Sequence, residues 1–178
     1  MGYAAFAIDI YGHGRQPAGM DEAWALMSAV NDDRRLLAER MTAAWEQLRA
    51  QPEVDAARTA AIGYCFGGKC VLDLARTGAD LKGVVAFHGL FDAPQFETAP
   101  RIPAKVLALH GWDDDLAEPA AVIAFAAEMS AKDADWQLHA YGNTGHGFTN
   151  YTRPEMYRPD ADRRAWAAMT GFLAEIYG

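Results

Sequence analysis

Ile62-Gly63-Tyr64-Cys65-Phe66-Gly67-Gly68 is the stretch that decides how the chain folds. Before it, Thr59-Ala60-Ala61-Ile62-Gly63-Tyr64 is a short apolar run without side-chain charge, the pattern of a buried strand. After it, from Lys69 on, Cys70, Val71, Leu72, Leu74 and Ala75 recur at helical spacing. Strand, abrupt turn and helix therefore meet at a Gly-x-Cys-x-Gly. A reactive side chain at such a junction sits on a strained turn, and the flanking glycines let strand and helix approach without Cβ clashes. The helix N-terminus adds free N–H groups and a positive dipole end, which lower a thiol pKa and stabilise a developing oxyanion. A lone cysteine in an apolar segment is ordinarily an inert core residue. The glycines and the strand-to-helix setting favour a reactive one here, provided that it has partners.

Composition bounds the rest. The 178 residues suffice for one domain with a substantial core, expected to span residues 1–178. With 51% hydrophobic and 22% charged residues, the chain has the make-up of a soluble globular protein. A formal charge of -8 argues against nucleic acid or an anionic membrane surface as partner. Met1 to Ile10 has no basic n-region and its apolar run is broken by Asp9, so no signal peptide is expected. No apolar run approaches the length of a membrane span. The two cysteines, Cys65 and Cys70, are too few for a disulfide framework, poorly placed to bridge one another, and match no metal spacing. A reducing, cytoplasmic setting follows as the expectation.

Taken in order, Tyr3 to Asp9 is expected as a strand buried on both faces, and Tyr11 to Pro17 as a glycine-rich loop in which His13 is a loop residue. Asp21 to Gln51 has a helical pattern broken near Asn31, with Asn31 as N-cap and Arg34 and Arg35 on a solvated face. Leu36, Leu37, Met41, Trp45 and Leu48 form its apolar stripe, and Pro52 ends it. The helix after the turn is expected to run to Thr77 and stop at Gly78. Further strands are expected at Gly83 to His88, Ala104 to Leu109 and Trp136 to Tyr141, with a loop rich in Pro and Phe between the first two. Helices are expected at Pro119 to Ala131 and Asp160 to Tyr177, the latter with Trp166, Met169, Phe172, Leu173 and Ile176 facing inward. Strands alternating with helices imply an α/β fold, a mainly parallel sheet with helices on both faces.

A nucleophilic thiol gains from a histidine base, and the histidine from an acid that fixes its tautomer. In a parallel sheet such groups come from loops at the carboxyl ends of strands. Two loops fit: Leu109-His110-Gly111-Trp112-Asp113-Asp114-Asp115, and Tyr141-Gly142-Asn143-Thr144-Gly145-His146-Gly147-Phe148. Nucleophile, acid and histidine then follow the chain order of an α/β-hydrolase. His146, in its glycine setting, is the base of choice. His139 lies within a strand, and His88 and His110 stand at strand ends where they can shape the pocket. Any of Asp113, Asp114 and Asp115 can supply the acid. Tyr11, Trp112 and Phe148 are candidate walls of a partly apolar pocket, while Arg15, Arg153 and Arg158 read as solvated surface groups.

Gly63-Tyr64-Cys65-Phe66-Gly67-Gly68, His110-Gly111-Trp112-Asp113-Asp114 and Gly145-His146-Gly147-Phe148 resemble the three catalytic blocks of the dienelactone hydrolase family. Asp9-Ile10-Tyr11-Gly12 and Trp136 to Gly142 extend the likeness over nearly the whole chain. The resemblance implies an α/β-hydrolase fold and hydrolysis of a small-molecule ester or lactone without metal or organic cofactor. It implies Cys65 as nucleophile, His146 as base and then acid, Asp114 as the orienting carboxylate, and the Phe66 N–H as an oxyanion donor.

The likeness also carries a departure. Family members usually begin with further residues that include the first strands and the loop giving a second oxyanion donor, so an N-terminally truncated sheet is expected. Either Tyr3 to Asp9 moves into the vacant place, or a second chain, as in a homodimer, covers the exposed edge. An incomplete gene product of weak activity is a further expectation. Two rival functions are a non-catalytic binding or regulatory protein on the same fold and a glutamine-amidotransferase-like enzyme. The latter typically follows its histidine by x-Glu, whereas Gly147-Phe148 follows His146.

Overall fold

Four runs poor in charge form the sheet of the computed structural model, which describes residues 2–178: β1 (Ala60–Tyr64), β2 (Gly83–Phe87), β3 (Lys105–Gly111) and β4 (Trp136–Tyr141). They lie in the order β1-β2-β3-β4 and every pairing is parallel. The helices are α1 (Met20–Asp32), α2 (Arg34–Arg49), α3 (Phe66–Arg76), α4 (Pro119–Ala131) and α5 (Pro159–Tyr177). Strand side chains alternate between faces. Val84, Ala86, Val106 and Ala108 pack with residues of α2, α3 and α4, whereas Val85, Phe87, Leu107 and Leu109 pack with α5. Both faces of the central strands β2 and β3 are therefore covered, as expected of near-continuous apolar runs, while β1 and β4 stay partly exposed. Among the described residues, no helix is long and apolar enough to cross a membrane.

Register brings the site together. Tyr64 lies opposite Phe87, and Phe87 opposite Leu109. Cys65, His88 and His110 consequently emerge side by side at the carboxyl end of the sheet.

Four sequence expectations need correction. Tyr3 to Asp9 is not a strand: among the described residues no ladder partner takes it up, and Tyr3, Phe6 and Ile8 stand 48%, 46% and 39% exposed. Composition registers a preference for burial, but a strand also needs a neighbour for its backbone. The segment is held at its ends instead, by Tyr3 against the Tyr177 ring and by Asp9, whose carboxylate accepts the N–H groups of Gly12 and Gly14. The break between α1 and α2 is capped by Asp33, which accepts the Leu36 N–H at 3.0 Å, and not by Asn31. Arg34 is not solvated. Its guanidinium donates to both Asp73 oxygens at 2.7 and 2.6 Å and to Asp92 at 2.8 Å. Trp166 is half exposed, because the inward face of α5 is made by Ala161, Ala165, Met169, Phe172 and Leu173.

The tightest packing is at the turn between β1 and α3. A Cβ on Gly63 would lie 1.9 Å from the Gly67 carbonyl oxygen, and one on Gly68 2.8 Å from the Gly89 Cα. Both obstacles are backbone and cannot swing aside. Gly171, exposed in the middle of α5, has nothing within 4 Å of such a Cβ. Gly63→Ala should therefore destabilise by about 3 kcal/mol or more through overpacking. Gly171→Ala should stabilise by roughly 0.5–1 kcal/mol through helix propensity. Urea denaturation midpoints of the two variants check the contrast, and equal effects would contradict it.

Candidate active site

Cys65 is the N-cap of α3 and adopts φ 54°, ψ -120°, a left-handed conformation costly for a residue with a Cβ. Backbone contacts hold it there. Its N–H donates to the Phe87 carbonyl at 3.0 Å, and its carbonyl accepts from Gly68 N–H at 3.0 Å and Lys69 N–H at 3.3 Å. The half-buried thiol then projects from the carboxyl edge of the sheet.

Two further loops reach it. His146 Nε2 lies 2.9 Å from Cys65 Sγ, and His146 Nδ1 lies 2.8 Å from Asp114 Oδ2. Asp114 is 1% exposed, and its other oxygen accepts the Leu116 N–H at 2.9 Å. The neighbouring acids behave differently. Asp113 accepts the Thr144 N–H at 2.9 Å and its own N–H donates to the Thr144 carbonyl at 2.9 Å, clipping the two loops together. Asp115 is exposed. Gly111 lets the loops meet, since a Cβ there would stand 2.5 Å from the Thr144 carbonyl oxygen.

The electrostatics follow from these contacts. Burial works against a charged His146, but its bonds to Asp114 and Cys65 outweigh that and raise it to about 10. Burial likewise opposes a Cys65 thiolate. The hydrogen bond and charge of His146, with the Phe66 N–H, nonetheless bring the thiol below its ordinary range. Cys70, four residues into the buried stretch of α3, has no such partner, and burial pushes it up to about 12. The two cysteines thus differ in kind: one poised to ionise beside a base, one packed and inert.

The residues expected around the thiol separate. Tyr11 is half-buried against the helical side of the core, and burial, then the charges of Cys70 and Cys65, raise its phenol. Arg40 fixes that loop by donating to the Ile10 and Tyr11 carbonyls at 2.7 and 3.3 Å. Trp112 is 44% exposed, its N–H donating to the Tyr141 carbonyl. Phe148 corrects the expectation of a pocket wall. It is completely buried in the α5-side core, edge-on to Tyr141 and His88, because the chain turns inward immediately after Gly147. Arg15, Arg153 and Arg158 are exposed. His139, on β4, is exposed as well and takes no part.

Sequence reasoning under-read His88, which is 4% exposed at φ 38°. Its Nδ1 accepts the Cys65 N–H at 3.2 Å, and its Nε2 lies 2.8 Å from Thr149 Oγ1. The available signal was its position as the last residue of its strand run, in register with the turn at Cys65. His110 is fully buried against Phe91, and neither ring nitrogen meets a hydrogen-bond partner among the described residues.

Comparison with known proteins shows relatives in both sequence and fold. A profile of the dienelactone hydrolase family matches residues 1–177. The solved structure m3DLH superposes with a TM-score of 0.87 at 39% identity, covering 96% of this chain and 73% of its own. An uncharacterized protein of Caenorhabditis elegans is 30% identical over 83% of this chain and 98% of its own length. A probable 2-oxo-3-(5-oxofuran-2-ylidene)propanoate lactonase of Bradyrhizobium sp is 28% identical over 93% of this chain and 69% of its own.

His110 has a consequence for stability. Burial holds its pKa below the ordinary 6.5, so as pH falls through that value the unfolded chain takes up a proton that the folded chain refuses. Stability must then fall on acidification. His110→Leu removes both the unpartnered ring nitrogens and this titration. It should raise stability by about 1 kcal/mol or more at pH 8, and by more at pH 5. Denaturation at the two pH values tests this; a gain that is the same at both would contradict the buried-histidine account.

Proposed function

The chain belongs to the dienelactone hydrolase family and is a hydrolase of the ester and lactone class; on that premise we propose that it works by acyl transfer through Cys65, His146 and Asp114. The observation that supports this reading is the unbroken relay Sγ···Nε2 at 2.9 Å and Nδ1···Oδ2 at 2.8 Å, mounted on a strained turn. Cys65 Sγ attacks the substrate carbonyl carbon, forming a C–S bond as the carbonyl π pair moves onto oxygen. The Phe66 N–H, which faces the thiol in the resting arrangement, donates to that oxyanion. Collapse restores the carbonyl and breaks the C–O bond. The leaving oxygen takes the proton held on His146 Nε2; in a lactone it stays tethered to the acyl group. Water then gives a proton to His146 and attacks the thioester, the C–S bond breaks, and the acid product leaves with the thiolate restored. Asp114 fixes the His146 tautomer and stabilises its imidazolium.

The exposed Trp112 and half-buried Tyr11 support a small, partly apolar substrate. The two free thiols support a reducing, cytoplasmic setting.

Hydrolysis of p-nitrophenyl acetate, with mass spectrometry after iodoacetamide treatment, tests the assignment. Iodoacetamide should modify Cys65 and spare Cys70. Cys65→Ala should abolish turnover while keeping the fold, and Asp114→Asn should lower kcat by roughly 10²–10⁴ through the wrong tautomer. Full turnover by Cys65→Ala would refute the nucleophile. Neither turnover nor selective labelling would favour the binding-protein alternative.

The free edge of β1, where Ile62 and Tyr64 are 43% and 42% exposed, supports pairing with a second copy of the chain. Size-exclusion chromatography with light scattering should then give a dimer mass, lost in Ile62→Lys. A monomer at micromolar concentration would remove this part of the proposal.

A further inference from the structure

Two left-handed residues stand side by side at the end of the sheet. Cys65 follows Tyr64 at φ 54°, and His88 follows its register partner Phe87 at φ 38°. Neither is a glycine, and both conformations are disfavoured for a side chain with a Cβ. The first serves the nucleophile. The second aims the His88 ring between the nucleophile turn and the loop that carries His146.

The contacts of that ring fix its state. The Cys65 N–H is shared between the Phe87 carbonyl at 3.0 Å and the His88 Nδ1 at 3.2 Å, and since a backbone N–H can only donate, this second contact requires an unprotonated Nδ1. The proton of the neutral ring then sits on Nε2, which donates to Thr149 Oγ1 at 2.8 Å. Thr149 lies three residues beyond His146, in the same segment between β4 and α5. The ring is further walled by aromatic groups: His146 at 5.2 Å and Phe148 at 5.3 Å between centroids, both edge-on, and Tyr64 at 5.9 Å. The titratable groups that bear on it are His146 and Asp114. Among the described residues, no carboxylate hydrogen-bonds to either of its nitrogens.

We propose that His88 is a positioning residue for the Cys65–His146 pair, its Nδ1 bracing the nucleophile turn and its Nε2–H bracing the loop of the base. One neutral side chain thereby ties together two catalytic elements that are remote in sequence. Protonation breaks the tie, because an N–H at Nδ1 would face the N–H of Cys65. Burial, and then the nearby charge of His146, hold the ring down to about 4, which keeps it in the bracing form at neutral pH. The acid limit of activity is accordingly set in part by His88 and not by Cys65 and His146 alone. This rests on the acyl-transfer reading above, and Cys65→Ala serves as its separate control.

Asparagine and glutamine divide the two functions of the ring. The Asn side-chain oxygen reaches the position of Nδ1, and the Gln amide nitrogen that of Nε2. His88→Asn should keep the brace on Cys65 without titrating, His88→Gln should keep only the contact to Thr149, and His88→Ala neither. The measurements are kcat and KM for p-nitrophenyl acetate across pH 4–9, the pH dependence of Cys65 alkylation by iodoacetamide, and a thermal melt for each variant. We expect kcat to fall about tenfold or more in His88→Gln and His88→Ala with little change in KM, and their alkylation profiles to move to higher pH. His88→Asn should stay within about threefold of wild type at pH 7 and hold its activity to lower pH. Thr149→Val should lower kcat less than His88→Ala, with the Cys65 alkylation profile unchanged. The proposal is overturned if all His88 variants keep wild-type kcat and alkylation profiles. It is equally overturned if Asn and Ala lose activity alike in step with a lowered melting temperature, the mark of a merely structural residue. If Cys65→Ala retains turnover, the underlying mechanism fails instead, whatever the His88 variants do.

Discussion

The close approach of three backbones at Gly63, Gly68 and Gly89 is the constraint on which the rest of the molecule depends. It brings the first turn of α3 against the ends of β1 and β2 with no side chain between them. At that distance the Cys65 carbonyl accepts the N–H groups of Gly68 and Lys69 in the first turn of α3, and the Phe66 N–H faces the thiol. The left-handed turn at Cys65 stores roughly 1–3 kcal/mol of strain, and the pairing of β1 with β2 on one side and the buried α3 on the other keep it from relaxing.

That demand explains why α3 is so deeply set. Nearly every residue from Phe66 to Arg76 is buried, including Lys69, Asp73 and Arg76. Charges in such a place must answer one another. Arg76, wholly buried, meets Asp73 at 3.0 Å and Glu128 of α4 at 2.7 Å; Arg34 of α2 meets Asp73 at 2.6 Å; Lys69 meets Asp92 at 2.8 Å and donates to Asn31 at the end of α1. The cluster links α1, α2, α3 and α4 beneath the turn. Asp73, 2% exposed, is shared by Arg34 and the wholly buried Arg76, so its removal would leave both guanidinium groups under-compensated, and the network ties the position of α3 to the packing of the other helices on that face.

What the sequence discloses about this structure depends on the kind of information involved. Local periodicity located all four strands of the sheet and the five helices to within a few residues, because burial on both faces or one face imprints itself directly on residue order. The order of the three loops likewise pointed to Cys65, His146 and the aspartate triplet. Within the triplet the residues alone could not choose: Asp113 and Asp114 are chemically identical, and only the fold directs one to Thr144 and the other to His146. Tyr3 to Asp9 misled for the opposite reason, since its composition reports a tendency that no neighbouring strand meets among the described residues. Arg34 and Phe148 share one lesson. An arginine after a helix break reads as solvent-facing and an aromatic beside a reactive histidine reads as a pocket wall, yet a distant carboxylate and an inward bend of the chain decide both.

His88 and His146 show most clearly how environment overrides residue type. Their rings are 5.2 Å apart and burial opposes the charged form of each, yet one is raised to about 10 and the other lowered to about 4. The difference lies in what each nitrogen meets. His146 is offered a carboxylate and an ionisable thiol, both of which gain from its positive charge. His88 is offered an N–H donor and a hydroxyl, which between them suit only the neutral ring. If both were charged, their repulsion at that separation would cost about 3 kcal/mol at an effective dielectric of about 20. The neutrality of one ring therefore protects the charge of the other. A site with two histidines against one thiol needs such an asymmetry, because a second basic imidazole would compete with His146 for its proton and weaken the contact that lowers the Cys65 pKa.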